Sequence, residues 1–255
     1  MTISDLVALT GGTVASVGFV DLETTVRGVT EDSRKVESGW VFVTISGETV
    51  DGHDFVEQAL ADGAVAVLTA SPEKIPEGVG VIVVPHARRA LGQIAHALAD
   101  DPSRSMTVIG VTGTNGKSST VMMIRHLLEY AGHKTASLGT LGYTIGGETR
   151  DARHTTPFNE DLAALFAAAR DAGDTHVVME VSSHALEQER VSGVEFDVAL
   201  FTNLTQDHLD YHDSMDAYLD AKLELFSGME SDFGITVANA DDPSSERFRE
   251  ASRVS

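Results

Sequence analysis

The chain has 255 residues, 39 of them acidic against 18 lysines and arginines, a net charge of −21, and no cysteine. That length is enough for two domains, disulfides and thiol chemistry are excluded, and so acidic a surface repels nucleic acid, which needs basic patches. No apolar run approaches the roughly 20 residues of a membrane span and no signal-peptide pattern opens the sequence, so it reads as soluble and cytoplasmic with no membrane partner; a monomer is expected.

In chain order, Ser4 can cap a short helix through Leu9 that stops at Gly11 and Gly12. Residues 26 to 34, VRGVTEDSR, read as a strand leaving into a polar turn, and residues 40 to 45, WVFVTI, as a buried strand. Ser46, Gly47, Asp51 and Gly52 make a loop before a helix over about 53 to 61. Residues 64–68 and 79–84 are two more strands, and 88–99 is helical. Asp101-Pro102-Ser103 is a natural linker. Alternating strands and helices give a small α/β domain over residues 1–103, and a second domain follows over 104–255.

The second domain opens with VIGVTGTNGKSST, residues 108 to 120. An apolar strand is followed by Thr112, Gly113, Thr114, Asn115, Gly116, Lys117 and Ser118. Val121, Met122, Ile124, Leu127 and Leu128 then recur at helical spacing. Strand, glycine turn and Lys-Ser at a helix start form a phosphate-binding loop. Glycines let backbone N–H groups converge on phosphate oxygens, and the helix N-terminus adds partial positive charge. Lys117 would reach the terminal phosphates, and the Ser118 hydroxyl would ligate magnesium. The general pattern wants glycine at 111, where this chain has Val111. On that pattern alone, an ordinary tight strand–helix turn stays open.

Residues 134 to 147, KTASLGTLGYTIGG, predict a strand and then a hairpin turning at Gly146-Gly147. His154, Thr155, Thr156 and Pro157 form a polar bend before a helix to about 172. Residues 175–181, THVVMEV, are a buried strand ending in Glu180, Ser182, Ser183 and His184. Residues 197–202 are another, followed by Asn203, Asp207, His208 and Asp210. Ligands in open α/β sheets sit beyond the carboxyl ends of strands. Three strand ends thus deliver Lys117 and Ser118, Glu180 and Ser182, and Asn203 and His208 to one edge. A magnesium–nucleotide site wants oxygen ligands and keeps several waters; Glu180 suits it, and His208 is a softer ligand. A helix carrying Ala217, Tyr218, Ala221, Lys222, Leu225 and Phe226 comes next. Standing alone, Lys222 there would be a snorkelling lysine.

The strings TGTNGKS, DSRKV, GWVFV, DGHDF, EVSSHAL and TNLTQDHLDYH together resemble the Mur ligase family, in its UDP-N-acetylmuramoyl-tripeptide synthetase group, over about residues 26–242. The resemblance implies an N-terminal UDP-binding domain, with Ser33 and residues 47–50 facing the uridine nucleotide. It implies a mostly parallel P-loop-type sheet domain in which Gly113, Thr114, Asn115, Gly116, Lys117, Ser118 and Ser119 bind ATP. By the same resemblance, Thr155, Thr156, Ser182, Gln188 and Arg190 contact the UDP-muramoyl-dipeptide. Ser118, Glu180, His208 and a carbamylated Lys222 hold magnesium, and Lys117, His208 and Lys222 are catalytic. The implied reaction is ATP-driven peptide-bond formation through an acyl phosphate, with diaminopimelate the commonest added amino acid and lysine the next.

Three departures stand out. Ser118-Ser119-Thr120 replaces the family's frequent threonines and keeps the hydroxyl. His154 stands where the family commonly has Asn. The sequence stops where the family's central domain is half built, so the resemblance implies a truncated ligase that lacks the C-terminal domain and does not turn over alone. Two other readings compete. Folylpolyglutamate- or cyanophycin-type ligases share the loop but not the DSR, EVSSHAL and DHLDYH strings together. A nucleotide- or UDP-sugar-binding module without turnover is the other.

Overall fold

The computed structural model describes residues 1–15, 20–47, 50–207, 211–229 and 234–252. Two compact units divide the chain, Met1–Asp100 and Asp101–Ser255. Among the described residues, no helix is long and apolar enough to cross a membrane.

The first unit begins with helix α1 (Ile3–Thr10). Its cap is Thr2, not Ser4: Thr2 Oγ1 accepts from the Asp5 N–H while the Asp5 carboxylate accepts from the Thr2 N–H, a reciprocal capping box. Gly11, at φ 63°, ends the helix in the left-handed region. A five-stranded sheet follows, in the order β1 (Thr13–Ala15), β5 (Val81–Val83), β4 (Ala66–Thr69), β3 (Trp40–Val43), β2 (Gly28–Thr30). Strands β2 to β5 are parallel and β1 is antiparallel to β5. Short, half-polar β1 carries no alternation that the sequence could show. Gly28 faces Trp40 across the β2–β3 register, and a Cβ there would fall 2.3 Å from the indole. The helix expected over 53–61 is a 3-10 turn (Gly52–Phe55) running into α2 (Val56–Ala61). Phe42, Val56, Ala59, Val67 and Val81 form the core on this side, and α3 (Ala87–Leu98) closes the unit.

The second unit is a seven-stranded sheet in the order β12 (Ile235–Ala238), β11 (Val198–Phe201), β6 (Thr107–Thr112), β10 (His176–Glu180), β7 (Thr135–Gly139), β8 (Gly142–Ile145), β9 (Glu148–Arg150). The first five in that order are parallel; β8 and β9 add an antiparallel edge. Gly146 and Gly147, at φ 57° and 84°, make the two-residue turn between β8 and β9, as a hairpin of right-handed twist requires. Helices α4 (Lys117–Tyr130), α5 (Asn159–Asp171), α6 (Ser183–Glu187), α7 (Met215–Ser227) and α8 (Ser245–Ala251) complete it. Successive residues of β6 serve opposite faces: Val108 joins the core with Phe166, Phe196 and Leu225, while Ile109 and Val111 pack with Val121 and Val178. The chain leaves β6 for β7 and β10 on one side and for β11 and β12 on the other. A crevice at the carboxyl ends follows from that reversal.

Candidate functional site

The loop from β6 to α4 is shaped by two glycines. Gly113 sits at φ 140°, and a Cβ on it would lie 1.9 Å from Thr202 Oγ1. Gly116, at φ 85°, is the N-cap of α4 and supplies no side-chain cap, so the first N–H groups of the helix lack intrahelical acceptors. The segment after β11 clamps the loop crest. Thr114 N–H donates to the Asn203 carbonyl at 2.8 Å and Asn115 N–H to Asn203 Oδ1 at 3.1 Å. Thr202 Oγ1 and Asn203 Nδ2 both donate to the Asn115 carbonyl, at 2.8 and 2.9 Å. Thr114 Oγ1 accepts from Thr205 N–H at 3.0 Å and lies 3.1 Å from the Tyr218 hydroxyl of α7.

Two lysines meet under this loop. Lys117 Nζ folds back onto the carbonyls of Gly113 and Thr114, at 2.8 and 2.9 Å. Burial lowers its pKa, and the charges of Glu180 and Asp207 oppose that. Lys222 is 1% exposed and does not snorkel. Its Nζ donates to the Gly113 carbonyl at 3.1 Å and stands 4.3 Å from the Tyr218 ring centroid. Burial first, then the neighbouring Lys117 charge, push its pKa from 10.5 to about 7, against a smaller pull from Asp207.

The end of β10 supplies the opposite wall. Glu180 is 2% exposed, and its Oε1 accepts from the Thr140 N–H at 2.8 Å. Gly139 leaves the room it occupies, since a Cβ there would sit 2.3 Å from Glu180 Oε1. Thr156 knits the polar bend to this strand end: its hydroxyl donates to the Glu180 carbonyl at 2.9 Å and accepts from the Ser182 N–H at 3.1 Å. Ser182 caps α6 through the Ala185 N–H. Arg190 Nη1 donates to the Thr156 carbonyl, its Nε and Nη2 reach Gln188 Oε1, and its guanidinium lies 4.0 Å over the Phe158 ring. Behind α6, His212 Nε2 lies 2.9 Å from Ser183 Oγ and its Nδ1 lies 3.1 Å from Glu187 Oε2. Gln188 Nε2 donates to the Tyr211 hydroxyl at 3.0 Å.

A cavity of about 450 Å³ opens between these walls. Of the residues expected at the site, Thr114, Asn115, Gly116, Lys117, Ser118, Thr155, Thr156, Glu180, Ser182 and Arg190 line it. Gly113 is in the loop and carries Lys222 beneath it, Gln188 stands behind Arg190, and Ser119 is exposed on the first turn of α4. His208 falls outside the described residues, as do residues 48 and 49 of the 47–50 loop. Thr140, His154 and His184 also line the cavity. Thr140 follows the end of β7, so counting that strand end with the other three would have found it. Glu180 and Ser118 present hard oxygen donors on one cavity, a set that fits magnesium with phosphate and water completing the shell.

Ser33 belongs to the first unit, where it opens a 3-10 turn (Ser33–Lys35) just after β2 and is 9% exposed. Asp32 caps that turn and pairs with the Arg34 guanidinium through two bonds of 2.8 Å. At the neighbouring strand ends, His53 Nε2 lies 3.0 Å from the hydroxyls of Thr44 and Thr69. Asp51 meets His53 Nδ1 and the Lys74 ammonium, the latter at 2.9 Å. Gly52 is required there, because a Cβ would press on the Ile45 backbone at 2.8 Å.

Residues 111–255 match the Mur ligase middle domain and residues 25–98 match the Mur ligase family catalytic domain. A UDP-N-acetylmuramoyl-L-alanyl-D-glutamate–2,6-diaminopimelate ligase of Bacillus licheniformis is 43% identical over 228 residues, 88% of this chain and 46% of the relative. A solved structure of a ligase with the same name superposes with a TM-score of 0.81 at 26% identity, over 98% of this chain and 49% of that one. The MurF ligase of Thermotoga maritima in complex with ADP gives a TM-score of 0.55 at 21% identity over 92% of this chain and 51% of that one, a likeness of fold alone. The chain spans about half the length of the curated relatives it matches. With the middle-domain match extending over more than half of its residues, on the same loop and strand ends that build the cavity, the chain belongs to the Mur ligase family.

Proposed function

We propose that this chain carries the nucleotide-binding parts of an ATP-dependent ligase that adds an amino acid, meso-diaminopimelate, to UDP-N-acetylmuramoyl-L-alanyl-D-glutamate in peptidoglycan precursor synthesis. The observation that carries this reading is one cavity walled by the phosphate loop on one side and by Thr155, Thr156, Ser182 and Arg190 on the other. A phosphate donor and a carboxylate acceptor held on those two walls are adjacent, which is what transfer of a γ-phosphoryl group to a carboxylate needs. The relatives' printed names supply the acceptor and the amino acid.

Lys117 swings from the Gly113 and Thr114 carbonyls to the terminal phosphates. The first N–H groups of α4 face the same anion. Ser118 and Glu180, together with His208 and a carbamylated Lys222, would hold magnesium, which would neutralise phosphate charge. Arg190 fixes the muramoyl-peptide by charge from a guanidinium already braced on Phe158 and Gln188. Ser33 and residues 47–50 hold the uridine end. The acyl phosphate is then open to the amine of the incoming amino acid. The protein acts in the cytoplasm as a monomer.

Calorimetry with ATP and with UDP-N-acetylmuramoyl-L-alanyl-D-glutamate tests the reading. Binding of both, with Arg190→Ala weakening only the second, supports it. Binding of ATP with no measurable affinity for the muramoyl-dipeptide would count against it.

A further inference from the structure

Strand β6 and helix α7 run past each other in opposite directions, and three contacts fix their alignment. A Cβ on Gly110 would meet Leu225 Cδ1 at 3.2 Å and the Phe196 ring at 2.8 Å. The Gly113 carbonyl takes Lys222 Nζ at 3.1 Å. Thr114 Oγ1 meets the Tyr218 hydroxyl at 3.1 Å. As the chain ascends from Gly110 in β6 to Thr114 just beyond it, α7 descends from 225 through 222 to 218. Side chains two apart on a strand share a face, so Thr112 shares the face of Gly110 and looks at the turn of α7 that carries Lys222.

Thr112 is fully buried, and its Oγ1 has no hydrogen-bond partner among the described residues. A buried hydroxyl left idle costs free energy and calls for a partner. The Lys222 amine already has a use for one of its hydrogens, the Gly113 carbonyl. Among the described residues no acceptor meets the Thr112 hydroxyl.

We propose that Thr112 is the residue that holds a carbamate on Lys222, its hydroxyl donating to one of the added oxygens. This rests on the reading of Lys222 given above. In the step, the lone pair of the neutral Lys222 amine forms a C–N bond to carbon dioxide. One C=O electron pair moves onto oxygen, and the nitrogen releases one proton to a solvent base. The product keeps one N–H, which still serves the Gly113 carbonyl, and gains two oxygens that only accept. Thr112 is a positioning residue here, not a catalytic one.

The test uses the 255-residue chain, 13C-labelled bicarbonate and carbon NMR, with Lys222→Arg marking the Lys222 signal. The parent and Thr112→Ser show the carbamate at the same carbon dioxide level, whereas Thr112→Val needs roughly tenfold more for half occupancy. Thermal unfolding gives a second readout. Without carbon dioxide, Thr112→Val is at least as stable as the parent, since it removes an idle buried donor. At a given carbon dioxide level the midpoint of the parent rises more than that of Thr112→Val. Thr112→Ala gives the same comparison if the valine variant fails to fold. Equal occupancy in parent and Thr112→Val overturns the role of Thr112 while leaving the Lys222 reading intact. No Lys222-dependent signal in the parent overturns both.

Discussion

Lys117 and Lys222 converge on a single atom: the Gly113 carbonyl oxygen accepts from one amine at 2.8 Å and from the other at 3.1 Å. One reaches back from the first turn of α4 and the other across from α7. Two ammonium groups so placed repel each other, and Lys222, the more buried, yields its proton more readily.

Stability therefore depends on pH with a definite sign. Lys222 holds its proton to about 7 in the folded chain and to about 10.5 when unfolded. Between those values the unfolded chain binds the extra proton, so raising the pH favours folding. The contribution is fully present above about 10.5 and is lost as pH falls through about 7. Relative to Lys222→Met, the parent gains up to about 1.4 kcal/mol per pH unit across that window. Urea unfolding of both at pH 7, 8, 9 and 10 checks it; parallel curves would mean that the amine stays charged.

Lys117→Ala removes the group proposed to reach the terminal phosphates. ATP affinity falls by about 1.5–3 kcal/mol or more, at least tenfold. Affinity for the UDP-muramoyl-dipeptide stays within about twofold, because Thr156, Ser182 and Arg190 hold one another without Lys117. Calorimetry on each ligand decides, and unchanged ATP affinity would remove the loop from the site.

The two loop glycines respond differently. Gly113→Ala drives a Cβ to within 1.9 Å of Thr202 Oγ1, with the Asn203 carbonyl oxygen 3.0 Å away. It should cost about 3 kcal/mol or more and abolish nucleotide binding. Gly116→Ala has a positive φ but nothing within 4 Å, and should cost about 1 kcal/mol. Denaturant midpoints rank them, and a reversed order would contradict the clamp on the loop.

Thr156 is 1% exposed and its hydroxyl bridges the Glu180 carbonyl and the Ser182 N–H. Thr156→Val leaves both unpaired and should lower stability by about 1–3 kcal/mol, while Thr156→Ser keeps most of it. Thermal unfolding separates the pair; a valine variant as stable as the parent would show the bridge to be idle.

Much of this was legible in the sequence because the chemistry sits at strand ends. Lys117, Glu180 and Ser182 each follow a run of apolar residues, and a parallel sheet brings such ends together whatever the helices between them do. Which residues pair across those strand ends was not legible. Thr140 braces Glu180 from the next strand, and Asn203 and Thr205 hold Thr114 and Asn115 across some ninety residues. Those partners are chosen by strand order, which local periodicity does not encode. The α1 cap went to Thr2 because only Thr2 has an acid three residues on, at Asp5. Lys222 has the spacing of an interface lysine; its burial comes from Gly113 and Tyr218, placed by the neighbouring strand and by its own helix.

The clamp on the loop crest also limits which donors an anion can find. Thr114 and Asn115 have committed their amide hydrogens to Asn203. A phosphate entering the cavity would therefore be met lower down, by the amides of Gly116, Lys117 and Ser118 at the mouth of α4. Its charge would lie along the axis of a fourteen-residue helix instead of over the loop's summit. In an amide spectrum the two groups would separate: nucleotide would move the resonances of 116 to 118 strongly and leave those of 114 and 115 near their places.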